Sequence, residues 1–182
     1  VAGSSGPIGK LIFPLGDLSF EDAYDGYYRI VKAMAQAGAD LILFETFIDL
    51  QEMRAALLAA KAACDLPVFC QMTYEANGRT VTGTDPATAA IVLDKLGASV
   101  IGANCSLGPE QLLEVVKTYH QYTEKPISIQ PNAGLPIFQN GETVFPMTPQ
   151  EMAHWAPKLI EAGASYLGGC CGTTPIHITA MK

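Results

Sequence analysis

Short apolar runs alternate with amphipathic stretches along the whole chain. Leu41 to Glu45, Val68 to Met72, Val100 to Ala103, Ile127 to Ile129 and Tyr166 to Leu167 are near-continuous apolar segments of strand length, as strands covered on both faces require. Val1 to Gly6 reads as the tail of a further strand entering a Gly/Ser loop, which makes six strand ends. Each interval between strand centres is long enough for one helix and two loops, so parallel strands joined by helical crossovers are predicted.

The helices carry their own punctuation. Ser19, Asp49, Asp85 and Thr148 each stand at a start and offer a side-chain oxygen to the free amides, with Pro86 and Pro149 at the first helical position. A fifth helix is predicted from Gly108-Pro109 to Tyr122. Ala37-Gly38-Ala39-Asp40, Leu96-Gly97-Ala98-Ser99 and Ala162-Gly163-Ala164-Ser165 repeat one stop signal ahead of a strand, where a left-handed glycine ends the helix. Two loops after strands are long, Glu75 to Thr84 and Ala133 to Met147; the pairs Asn77-Gly78 and Asn140-Gly141 predict a small hairpin in each. Both follow carboxyl ends of strands, the face on which α/β sheets and barrels build their sites.

With 49% hydrophobic and 16% charged residues the chain is too apolar for a disordered one, and no linker or second domain interrupts residues 1–182. A net charge of −7 without any basic cluster makes nucleic acid and anionic membranes poor partners. Apolar runs fall well short of the ~18 residues of a membrane span. Five cysteines, an odd number in a chain this long, point to a reducing compartment such as the cytoplasm.

Chemistry collects at the strand ends. Cys105 closes Val-Ile-Gly-Ala-Asn-Cys, and Cys170-Cys171 close Tyr-Leu-Gly-Gly-Cys-Cys, so one parallel sheet would bring three thiols to one face. Gly168-Gly169 before the pair and Gly172 after it permit the turn that aims both sulfurs the same way. Three thiols with one open position suit a catalytic zinc ion; a vicinal pair also suits a thiol redox switch. Cys64 and Cys70 are assigned to packing, and His120, His154 and His177 to surface or packing roles. Glu45 ends an apolar strand, where a carboxylate needs a cation or donors, and Asn132 either caps a turn or presents its amide to a ligand.

Taken together, Gly-Ala-Asn-Cys at 102–105, Gly-Gly-Cys-Cys-Gly-Thr-Thr-Pro at 168–175, Leu-Phe-Glu-Thr-Phe at 43–47 and Gln-Pro-Asn-Ala-Gly-Leu-Pro at 130–136 resemble the homocysteine-binding barrel of the homocysteine S-methyltransferase family, most of all its methionine synthase branch. The resemblance implies a (β/α)8 TIM-type barrel covered here from about strand 3 to strand 8, and a zinc-dependent transfer of a methyl group to homocysteine, forming methionine. It implies Cys105, Cys170 and Cys171 as zinc ligands and Glu45 as the partner of the substrate ammonium. Asn132 is placed beside the metal or the substrate, Asn104 behind the cysteine loop, and Ser4 and Ser5 facing the same pocket. For the donor it implies methyltetrahydrofolate acting through cobalamin on other domains, of the same or an associated chain; a stand-alone enzyme would instead use a betaine or sulfonium donor. A non-enzymatic module with a closed structural zinc site is the third reading.

Length sharpens the expectation. Such barrels run to about 250 residues, so 182 residues with six strand ends read as a barrel domain truncated at both ends, lacking the first strands with their Asp-Gly-Ala-Met-Gly-Thr-like segment and most of the last helix. This span alone is expected to be inactive, and unstable or aggregation-prone through its unpaired sheet edges.

Overall fold

The computed structural model describes residues 1–139 and 141–182. Six strands, β1 (Ala2–Ser5), β2 (Leu41–Phe47), β3 (Val68–Met72), β4 (Val100–Asn104), β5 (Ile127–Gln130) and β8 (Ala164–Leu167), form one sheet in that order. Every pairing in it is parallel. The crossovers are helices α1 (Phe20–Gln36), α2 (Leu50–Ala63), α3 (Pro86–Leu96), α4 (Pro109–Tyr122) and α5 (Pro149–Glu161). Between β5 and α5 the chain makes an excursion that carries a two-stranded antiparallel hairpin, β6 (Ile137–Gln139) with β7 (Glu142–Val144). A final helix, α6, spans Pro175–Met181.

The helix starts fall where the side-chain acceptors are. Ser19 accepts from the Asp22 N–H, Asp49 from Gln51, Asp85 from Thr88 and Thr148 from Glu151, while α4 begins at Pro109 with no side-chain cap. The stop glycines Gly38, Gly97 and Gly163 have φ of 89°, 87° and 119°, the left-handed region that side chains disfavour. Sheet residues facing the helices are apolar and buried. Phe44 and Phe47 meet Tyr27 of α1 with ring centroids 5.5 and 5.7 Å apart, within a continuous cluster that takes in Ile42, Met53, Leu57, Cys70 and Ile101.

The opposite face is concave. Phe69 on β3 and Tyr166 on β8 have ring centroids 5.3 Å apart although β4 and β5 lie between their strands. In a flat sheet three strand spacings would separate them by about 14 Å. The sheet therefore curls as part of a barrel, and glycine at 102 on β4 leaves the hollow open: a Cβ there would stand 2.2 Å from the Ser128 carbonyl oxygen.

One expectation needs correction. Asn77-Gly78 makes no hairpin ladder. Gly78 N–H bonds the Glu75 carbonyl and Glu75 N–H the Arg79 carbonyl, after which Thr80 starts a second turn to Thr84, so no residues remain to pair as strands. The segment after β8 holds the short helix α6, seven residues from Pro175 to Met181. Around Asn140-Gly141 the hairpin is present, with Gln139 opposite Glu142 and Gly141 at φ 87°; Asn140 itself lies outside the described residues.

Candidate metal and thiol site

Three cysteine sulfurs meet at the carboxyl end of the sheet. Cys105 follows β4 directly, and it and Ser106 adopt left-handed φ of 62° and 58°, which turns the chain sharply at the rim. Cys105 N–H bonds the Gln130 carbonyl at 3.1 Å. The cysteine pair leaves β8 through Gly168-Gly169 and is docked on the segment after β5: Cys170 N–H bonds the Pro131 carbonyl at 2.8 Å, Ala133 N–H the Cys171 carbonyl at 2.9 Å, and Cys171 N–H the Asn132 Oδ1 at 3.1 Å. Gly169 must lack a side chain here, because a Cβ would stand 2.3 Å from Thr173 Cγ2.

The sulfurs of Cys105, Cys170 and Cys171 all lie within 4.8 Å of one another, and those of Cys105 and Cys171 are 3.8 Å apart. Tetrahedral thiolates at ~2.3 Å from zinc stand ~3.8 Å from each other, so this soft donor set fits such an ion. Even without a metal the three thiols are unequal. A hydrogen bond from Cys170 draws Cys105 down to about 5, helped by the Ser106 N–H, the Cys171 thiol and Asn132 and opposed by burial. The same bond raises Cys170, and burial raises Cys171.

Asn104 is fully buried behind this cluster. Its Oδ1 accepts the Thr46 N–H at 2.7 Å, and its Nδ2 donates to Thr46 Oγ1 at 2.8 Å and reaches Cys170 Sγ at 3.8 Å. Glu45 precedes Thr46 at the end of β2, half-buried, and accepts a hydrogen bond from Ser4 Oγ of β1. Ser5 instead turns its hydroxyl to the Gly6 carbonyl. The three cysteines, Asn104 and Asn132 are thus brought together, with Glu45 one residue before the Thr46 link and Ser4 bonded to Glu45. Below them a cleft of about 220 Å³ on the concave face is lined by Leu43, Phe69, Ser128, Gln130 and Tyr166 among others.

Cys64 and Cys70 stand apart, Cys70 buried in the core with its thiol pushed up by burial. His120 and His154 are exposed, whereas His177 is buried. Sequence reading passed over Thr46, whose φ of 66° is unusual for a β-branched residue, and Thr73, whose hydroxyl donates to the Asn104 carbonyl at 2.9 Å. A polar residue beside each apolar strand end was the available signal, and it named no partner.

Among the described residues no helix is long and apolar enough to cross a membrane. The chain is 36% identical to methionine synthase of Mycobacterium tuberculosis over 98% of its own length, and spans 15% of that protein. The apo crystal structure of the homocysteine methyltransferase MmuM from Escherichia coli superposes with a TM-score of 0.80 at 26% identity, covering 99% of this chain and 61% of that one. Its metallated form gives 0.76 at 25% identity, over 91% and 52%. The fold is therefore that of the MmuM barrel, covered in part. Matching the homocysteine S-methyltransferase family model from residue 1 to residue 182, the chain belongs to that family.

Proposed function

We propose that this chain is the zinc- and homocysteine-binding barrel region of a methionine-forming methyltransferase. The observation that carries the reading is the meeting of three cysteine sulfurs from two strand ends, spaced as a tetrahedral zinc site requires. Cys105, Cys170 and Cys171 would hold the ion, which when bound keeps a substrate thiol deprotonated and nucleophilic near neutral pH, where a free thiol of pKa about 8.5 is mostly protonated.

The remaining residues act on the substrate or on the cysteines. Glu45, oriented by Ser4, binds the homocysteine ammonium through its carboxylate. Asn132 uses its oxygen to hold the Cys171 amide and turns its amide group toward Cys105 and the incoming amino acid. Asn104 fixes the Cys170 sulfur from behind. The similarity to methionine synthase supports methyltetrahydrofolate as donor, delivered through cobalamin by domains outside this span; a betaine or sulfonium donor is the alternative. The unpaired thiols support a reducing, cytoplasmic setting, and residues 1–182 are assigned to one barrel domain.

Metal analysis of full-length protein purified without chelator is expected to show one zinc per barrel, lost in Cys105→Ser, and calorimetry to show homocysteine binding only to the metal-loaded form. A protein with no zinc, or with full zinc and activity after Cys105→Ser, would overturn the reading. Zinc without thiol binding would mark a closed structural site.

A further inference from the structure

His177 is turned inward between two apolar neighbours that are not. Ile176 and Ile178 on α6 are 69% and 44% exposed, while the imidazole is 8% exposed. Burying a polar ring in preference to two isoleucines requires that its nitrogens be used. Nδ1 accepts the Thr174 N–H at 3.2 Å and lies 2.8 Å from Thr174 Oγ1. A ring nitrogen that accepts a main-chain N–H carries no proton, so the proton of the neutral ring sits on Nε2. Nε2 donates it to the Met147 carbonyl at 3.0 Å.

That carbonyl belongs to the excursion that seats the cysteine turn. Met147 N–H bonds the Ala133 carbonyl at 3.0 Å, and Ala133 N–H bonds the Cys171 carbonyl at 2.9 Å. The bonds close a circuit from Cys171 along the chain to Thr174, through His177 to Met147, on to Ala133 and back. Packing inside it is tight: a Cβ on Gly172 would stand 2.2 Å from Phe145 Cβ, and one on Gly134 3.2 Å from Met147 Cβ.

We propose that His177 is a positioning residue for the metal site, a clasp that holds the 133–147 excursion against the cysteine turn and so fixes where Cys170 and Cys171 present their sulfurs. It touches neither substrate nor sulfur. The proposal rests on the zinc reading above and adds a residue that the three-cysteine set does not contain.

Two substitutions in the full-length protein separate the clasp from helix capping. His177→Ala removes both bonds. His177→Glu keeps an acceptor for the Thr174 N–H, as Glu151 accepts from Thr148 N–H at 2.7 Å, but has no proton for the Met147 carbonyl. Its negative charge would by itself strengthen cation binding. Zinc affinity, measured by competition with a chromophoric chelator, is expected to fall about tenfold or more in both variants, with the far-UV circular dichroism unchanged. In metal-free protein the alkylation of Cys171 is expected to speed up several-fold. Wild-type zinc affinity and alkylation rate in His177→Glu would overturn the proposal. Should neither variant fold, Thr174→Ala carries the test: with the ring held by the N–H alone, zinc affinity should drop a few-fold, and an unchanged value overturns the clasp. If the unaltered protein binds no zinc, the metal reading fails instead, and the alkylation rates still decide whether the clasp exists.

Discussion

Asn104 ties the two halves of the site together with one side chain. Its amide satisfies the backbone N–H and the hydroxyl of Thr46, 58 positions away, and faces the Cys170 sulfur with the remaining proton. Thr46 sits in the left-handed region, a conformation that costs about 1–3 kcal/mol and persists only when neighbours enforce it. Asn104→Ala would leave the Thr46 N–H without its acceptor, so unfolding by urea should show a loss of about 1–3 kcal/mol, and wild-type stability would rule out this role. Glu45→Gln tests the neighbouring carboxylate separately. On the role proposed for Glu45, zinc content should be unchanged while the KM for homocysteine rises, the substrate ammonium alone losing its counter-charge. The sequence marks Asn104, Cys105 and Glu45 as polar residues at strand ends. It does not mark their pairing, which depends on which strands lie side by side.

At the scale of elements, the helix starts were legible because a cap is a local event. An acceptor, often a proline and a following apolar face occupy four or five consecutive residues, and Ser19, Asp49, Asp85 and Thr148 all cap as read. The hairpin at Asn77-Gly78 was not, because a turn signal says nothing about whether its flanks have partners. Thr80 bonds onward to Thr84 and consumes them. The inward turn of His177 on α6 was hidden for a related reason: it depends on a loop 30 positions back. Asp85 offers a measurable cap. Bonds from the Thr88 N–H lower its carboxyl pKa, so ionised Asp85 stabilises the fold above the ordinary aspartate range. That contribution falls away as the pH drops below ~3.9 and through the lowered native value. Asp85→Ala should cost about 1 kcal/mol at pH 7 by urea titration, with the gap to wild type narrowing toward pH 2. A gap that widens in acid would contradict the sign.

Over the whole molecule, six parallel strands and their crossovers followed from alternating apolar runs, whereas the curl of the sheet did not, because it arises from what the inner face lacks. β4 contributes Gly102 where a side chain would otherwise run into Ser128 and Gln71, and the Gln71 side chain crosses from β3 to donate to Ser128 Oγ of β5 at 2.7 Å. The same curl brings the end of β8 to the end of β4, which puts Cys171 within 3.8 Å of Cys105. Curvature and the cysteine cluster are therefore one property, and a substitution that touches no cysteine should disturb both. Gly102→Ala introduces a methyl group 2.2 Å from the Ser128 carbonyl oxygen and 3.0 Å from Gln71 Cγ. The first contact is with backbone, which cannot rotate away, so β4 and β5 must shift apart. The expected outcome is a loss of about 1–3 kcal/mol in metal-free protein, together with weaker zinc binding, although residues 104, 105, 170 and 171 are untouched. Loss of stability at wild-type zinc affinity would show that the cysteine loops hold their geometry independently of the sheet beneath them.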